Sequence, residues 1–153
     1  MIKILFICHG NICRSPMAEF IMKTLVEKAG CGDEFEIASA ATSTEEIWNG
    51  VGNPVYPPAK RKLAEHGISC EGKRARQITA ADGEYYDLLI CMDGANVRNT
   101  KRICGHEEKI HLLLEYAGLN RDVADPWYTD DFETTWRDVL IGCKALLEIL
   151  SPS

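Results

Sequence analysis

Hydrophobic positions along the chain change period in blocks. Ile2-Lys3-Ile4-Leu5-Phe6-Ile7 is β-branched and nearly continuous, the pattern of a strand buried on both faces. From Ser15 the period becomes helical. Met17, Phe20, Ile21, Leu25 and Val26 form one stripe, Ser15 can cap, Pro16 suits the first helical position, and Gly30 ends the helix near Ala29. Residues 35–39 read as a second strand. Residues 42–58 are polar and rich in Gly and Pro, and read as a long loop holding Trp48. A helix is predicted over 59–65, closed by His66-Gly67, then a basic irregular stretch over 73–77. Residues 86–91 read as a third strand, 96–103 as a helix and 109–113 as a fourth strand. Residues 121–129 form a loop, and Asp130-x-x-Glu133 reads as a capping box. The last helix carries Phe132, Trp136, Val139, Leu140, Cys143, Leu147 and Leu150 on one stripe. Strand and helix patterns alternate from end to end. That predicts an α/β fold, a parallel sheet with helices on both faces.

Composition narrows the functional classes. A chain of 153 residues without repeat or linker suits one domain spanning 1–153. A net charge of -6 argues against nucleic acid and against an anionic membrane surface. An anionic substrate would have to be held locally, by a few donors on an acidic background. Seven cysteines without a Cys-x2-Cys pair give no zinc pattern, so no structural zinc site is expected. Residues 2–7 are too short for a secretory leader, and no stretch approaches the roughly 18 apolar residues of a membrane span. A reducing cytoplasm is the expected location, and a monomer with at most weak self-association the expected state.

The chemistry concentrates where the first strand ends. Cys8-His9-Gly10-Asn11-Ile12-Cys13-Arg14 leads into Ser15-Pro16. The loop leaves the carboxyl end of a strand, where open α/β sheets bind ligands. Gly10 permits positive φ and Asn11 tolerates it, so successive N–H groups can turn toward one centre and form an anion nest. The following helix adds its positive end, and Arg14 a planar fork of donors. A helix N-terminus and a nearby cation lower a cysteine pKa from about 8.5 into the range ~3.5–7.5, so Cys8 is expected to be a thiolate without a histidine base. The Ser15 hydroxyl can donate to it. Cys70 and Arg76 repeat the spacing, but no strand precedes them and Glu71 sits in the would-be cradle. Cys-Arg-Ser stands where a nucleotide-binding loop needs Gly-Lys-Ser/Thr, which argues against nucleotide binding.

Cys8-x-Gly-Asn-Ile-Cys13-Arg14-Ser15-Pro16 resembles the signature of the low-molecular-weight protein tyrosine phosphatases. Ser39-Ala40-Ala41-Thr42-Ser43, Ala75-Arg76-Gln77-Ile78, Cys91-Met92-Asp93, Asp125-Pro126-Trp127 and Asp131-Phe132-Glu133 resemble further family segments in the same order. The resemblance implies a flavodoxin-like four-stranded sheet of order 2-1-3-4, a phosphocysteine intermediate and no metal. It implies that Cys8 attacks phosphorus. Arg14 and the loop from His9 through Gly10, Asn11, Ile12 and Cys13 to Ser15 would hold the phosphoryl group. Asp125 would be the general acid and base, and Trp48, Trp127 and Tyr128 would wall the cleft. Tyrosine-phosphorylated proteins or peptides would be the partners. Two positions depart from the family pattern: His9 replaces an apolar or small residue, and Lys73 stands where a histidine helps fix the loop asparagine. That leaves open what orients Asn11.

Other functions compete with this reading. Phosphoarginine phosphatases of the same fold carry threonine where Ile12 stands. Thioredoxin-coupled arsenate reductases need two downstream cysteines closer together than Cys91 and Cys104. A non-catalytic phosphotyrosine-binding module would lack one of Cys8, Arg14 and Asp125. Cys13, beside an oxidisable Cys8, could trap its sulfenic acid as a reversible disulfide.

Overall fold

A computed structural model describes residues 1–151. In chain order the elements are β1 (Ile2–Cys8), α1 (Arg14–Lys28), β2 (Phe35–Ala41), β3 (Ile47–Trp48), β4 (Val51–Gly52), α2 (Pro57–Glu65), α3 (Ala80–Tyr85), β5 (Leu88–Cys91), α4 (Gly94–Cys104), β6 (Ile110–Leu112), α5 (Pro126–Thr129) and α6 (Phe132–Leu150). Four strands form one all-parallel sheet in the order β2-β1-β5-β6. With the two short strands of the β3–β4 hairpin set aside, this is the 2-1-3-4 order expected from the family pattern.

β1 is central, so both of its faces must be covered. Ile4, Phe6 and Cys8 point into the cluster built with α1, α2 and α6. Leu5 and Ile7 point to the opposite cluster, which α4 helps to close with Cys104. The period-two alternation of a strand thus feeds two apolar layers, and the sequence reads as an unbroken apolar run for that reason. Fully burying each such side chain contributes about 1.5–3 kcal/mol. On the outer side of the first layer, α6 presses against the turn after β6. A Cβ on Gly142 would fall 2.4 Å from Leu113 Cγ, so only glycine fits that crossing.

Several boundaries differ from the sequence reading. α1 begins at Arg14 with Cys13 in the cap position and no side-chain cap, so Ser15 is not the N-cap. Its hydroxyl is engaged by Cys8 and Asn11 instead. The long loop contains the antiparallel hairpin β3–β4, and α2 starts at Pro57. α3 was not expected because it is one short turn and a half containing Gly83. Its capping box, Thr79 with Asp82, was legible but was not used. α5 occupies part of the presumed 121–129 loop. The cap of α6 is Asp131, whose side chain accepts from the Thr134 N–H, while Asp130 closes α5 at φ 59°.

Candidate active site

Strand β1 delivers Cys8 to the carboxyl edge of the sheet, and the chain turns there before entering α1. Asn11 makes the turn in the left-handed region, at φ 60°, while Gly10 does not adopt positive φ. Glycine is needed at position 10 for space: a Cβ there would stand 3.2 Å from Glu46 Cγ. The turn brings the Asn11 N–H to 3.3 Å from Cys8 Sγ. Ser15, on the first turn of α1, places its Oγ 3.0 Å from the same sulfur. Cys8 therefore receives donors from a loop amide and a helix-terminal hydroxyl while being 97% shielded from solvent (3% exposed).

Asn11 costs strain in that conformation, and three partners hold it. Its Nδ2 donates to Ser15 Oγ at 2.8 Å and to Ser39 Oγ at 2.9 Å, and its Oδ1 accepts the Arg76 N–H at 3.2 Å. Ser39 lies on β2, next to β1, and its hydroxyl donates a hydrogen bond to Glu19 of α1 at 2.6 Å. Lys73 donates to the Ser39 carbonyl at 2.9 Å and approaches Glu19 at 3.5 Å. This answers what orients Asn11 in the absence of the family's histidine. His66, the other histidine nearby in sequence, stacks on Trp136 at 3.8 Å and has no part in it.

Arg14 is 2% exposed and is itself held on two sides. Its Nη1 donates to Asp93 Oδ2 and to the Val123 carbonyl, both at 2.8 Å, and its Nη2 stands 3.5 Å from Asp125 Oδ2. Burial works against its charge, but Cys8 and Asp93, then Asp125, more than offset it, so its pKa rises above the ordinary arginine value. Asp93 caps α4 and Val123 lies just before α5, so one guanidinium ties the loop to both neighbouring segments. Asp125 caps α5 by accepting the Trp127 N–H at 3.0 Å, which leaves its second oxygen facing Arg14. Burial pushes the Cys13 thiol far up, and Cys8 and Asp125 push it further.

One cleft is lined by Cys8, His9, Gly10, Ile12, Cys13, Arg14, Glu45, Glu46, Asp125, Trp127 and Tyr128. Asn11 and Ser15 lie beneath it, as the frame of the loop. Trp127 is braced on Tyr56 at 5.0 Å, and Tyr56 on Phe132 at 6.1 Å. Trp48 is not among the lining residues. The hairpin turns Trp48 and its partner Val51 outward, 74% and 57% exposed, and presents Glu45 and Glu46 to the cleft. His9 Nε2 meets Glu45 Oε2 at 2.9 Å across its mouth. Sequence reading missed Glu45, Glu46, Glu19 and Tyr56. Their segments carry no motif, and only the fold brings them here. Asp93 was seen as a marker but not as the partner of Arg14.

No group of three or more His, Cys, Asp or Glu side chains among the described residues is arranged to hold a metal ion, and no helix there is long and apolar enough to cross a membrane. The cleft thus brings the loop backbone, the Arg14 guanidinium, the Cys8 sulfur and the Asp125 carboxyl to one place.

Known proteins place this arrangement. The family model described as low molecular weight phosphotyrosine protein phosphatase matches residues 3–152. A rat low molecular weight phosphotyrosine protein phosphatase is 40% identical, covering 95% of this chain and 94% of its own. The crystal structure of YfkJ from Bacillus subtilis superposes with a TM-score of 0.91 at 36% identity, over 98% of this chain and 94% of that one. That of a low molecular weight protein tyrosine phosphatase from Streptococcus pyogenes gives 0.87 at 41% identity, over 100% and 95%. Sequence, fold and the order of the motifs agree, and the chain belongs to the low molecular weight phosphotyrosine protein phosphatase family.

Proposed function

We propose that the protein hydrolyses phosphotyrosine monoesters through a phosphocysteine on Cys8. The observation that carries this reading is the convergence on one cleft of a donor-supported sulfur, a guanidinium and a carboxyl group from three separate segments. The Cys8 thiolate attacks phosphorus, the bond to the tyrosyl oxygen breaks, and the leaving phenolate takes the Asp125 proton. Arg14 and the loop amides from His9 to Arg14 hold the three phosphoryl oxygens, over which the transition-state charge is spread. Water then attacks the phosphocysteine, Asp125 accepts its proton, the S–P bond breaks and inorganic phosphate leaves. No metal or cofactor enters any step.

Trp127 and Tyr128 suit the phenyl ring and exposed protein substrate, and Ile12 adds an apolar wall. Ile12 offers no hydroxyl to a phosphoguanidinium, which favours phosphotyrosine over phosphoarginine. Trp48 is exposed on the hairpin and outside the cleft lining, so we assign it to contacts with the protein around the phosphotyrosine. All seven cysteines are free thiols. A thiolate mechanism needs Cys8 free, and a reducing compartment such as the cytoplasm is the setting we assign.

Hydrolysis of para-nitrophenyl phosphate in the presence of a metal chelator tests the proposal. Wild type should turn over. Cys8→Ser should not, and Asp125→Ala should lose about 10²–10⁴ in rate. Turnover surviving in Cys8→Ser would overturn the mechanism. A comparison of phosphotyrosine and phosphoarginine peptides then tests the substrate class.

A further inference from the structure

Beneath the phosphate loop lies an ion pair that the reaction itself does not use. Glu19 is 5% exposed, and Lys73 is mostly covered. Glu19 Oε1 takes the Ser39 hydroxyl at 2.6 Å and faces Lys73 Nζ at 3.5 Å, and its Oε2 takes Lys23 Nζ at 2.6 Å. A carboxylate this deep is costly unless cations and donors surround it.

The consequence for Cys8 follows from counting protons. Ser39 Oγ donates to Glu19 Oε1, and a hydroxyl has one proton, so that proton is committed to Glu19. Ser39 Oγ can then only accept from Asn11 Nδ2. The Arg76 N–H on Asn11 Oδ1 allows the amide one orientation. Its remaining N–H goes to Ser15 Oγ, and the Ser15 proton has one partner left, Cys8 Sγ. The direction of every hydrogen bond from Glu19 to the sulfur is thereby set. Lys73 bears on both ends of the first link, since it holds the Ser39 backbone as well as Glu19.

We propose that Lys73 is a positioning residue for the nucleophile: by holding both the Ser39 carbonyl and the Glu19 carboxyl in place, it keeps the Ser39 hydroxyl on Glu19 and leaves the Ser15 proton for the Cys8 sulfur. The proposal rests on Cys8 being the nucleophile. The charged groups around each end are few. Lys73 faces Glu19, Arg76 and Lys23; its pKa is lowered chiefly by burial, and Glu19 opposes the fall. At the other end Arg14 is coupled to Cys8, with Asp93 and Asp125 beside it and Cys13 close by. Glu19 joins the sulfur by way of Ser39, Asn11 and Ser15, and Lys73 acts on that chain through its contacts with Glu19 and the Ser39 backbone.

The test reads Cys8 directly. The rate of carboxamidomethylation of Cys8 by iodoacetamide, located by peptide mass, is followed at one mildly acidic pH, together with kcat and KM for para-nitrophenyl phosphate. Lys73→Met should slow alkylation and lower kcat by about tenfold, the size expected when a hydrogen bond to a charged group is loosened, with KM within about twofold. Lys73→Arg should recover most of both. Lys23→Met, which removes a cation from Glu19 but not from Ser39, should have the smaller effect. Glu19→Gln, close in shape, should slow alkylation too, and it carries the test if Lys73→Met does not fold. Wild-type alkylation rates in both Lys73→Met and Glu19→Gln would overturn the proposal, as would a Lys73→Arg protein that is folded yet as slow as Lys73→Met. Absence of turnover in wild type would instead overturn the phosphatase reading, and the alkylation rates would still report on Lys73.

Discussion

Cys8 and Cys70 each stand six positions before an arginine, and both are buried. Their surroundings differ in every respect that matters to reactivity. Cys8 ends a central strand and has a loop N–H and a helix-terminal hydroxyl on its sulfur. Cys70 follows the turn after α2. Burial raises its thiol pKa and Glu71 adds to the rise, while Lys60 opposes it. Arg14 faces the cleft between Asp93 and Asp125, whereas Arg76 is spent on Asp82 in a two-point pair at 3.0 and 3.2 Å. The second segment even serves the first, since the Arg76 N–H holds the Asn11 side chain. A nucleophile is made by what points at the sulfur, and the Cys-to-Arg spacing contributes little by itself.

Paired substitutions sharpen that contrast. The largest gap is expected between Cys8→Ser and Cys70→Ser: the first should abolish turnover of para-nitrophenyl phosphate, and the second should keep it within about twofold, because a small buried thiol far from the cleft acts only in packing. A comparable loss in Cys70→Ser would erase the distinction. Next come the arginines. Arg14→Lys should cost about 10²–10³ in kcat, as for loss of a fixed oxyanion donor. Arg76→Lys, which keeps the backbone N–H, should cost only a few-fold and register in thermal stability. Two left-handed residues give the third pair. Asn11→Ala should lower both stability and kcat, because strain of about 1–2 kcal/mol loses its hydrogen-bond support. Gly72→Ala, at φ 83° near Cys70, should lower stability by a similar amount and leave kcat unchanged. The smallest effect concerns oxidation. If Cys13 condenses with a Cys8 sulfenic acid, water leaves, a disulfide forms and dithiothreitol restores activity after peroxide. Burial holds Cys13 in its thiol form, so trapping should be slow. Recovery in Cys13→Ser equal to wild type would remove it from that role.

The central strands were legible because they are buried on both faces and write uninterrupted apolar runs, as in Ile4 to Ile7. Cys8 and Arg14 stand out in one contiguous loop motif and Asp125 only through the family resemblance, and the structure brings the three to one cleft. Three kinds of feature were not legible. The β3–β4 hairpin has strands of two residues, too short for any period, so Trp48 was expected in the wall and Glu45 and Glu46 were overlooked. The left-handed turn fell to Asn11 and not Gly10 because the hydrogen bonds of its amide repay the strain, and those partners come from β2 and from residues after α2. Ser15 resembled an N-cap by type, but Cys8 and Asn11 compete for its hydroxyl and win. Lys73 looked like a lost histidine, and only its place beside Ser39 and Glu19 reveals a use for the cation.

The central claim is a covalent bond between Cys8 and phosphorus. Acid quenching of Asp125→Ala with para-nitrophenyl phosphate, followed by peptide mass analysis, looks for that bond directly. One added phosphoryl group is expected on the peptide containing Cys8, none on the peptide containing Cys70, and none in Cys8→Ser. Rapid turnover with no phosphoryl group on Cys8, or a phosphoryl group on another residue, would contradict that claim.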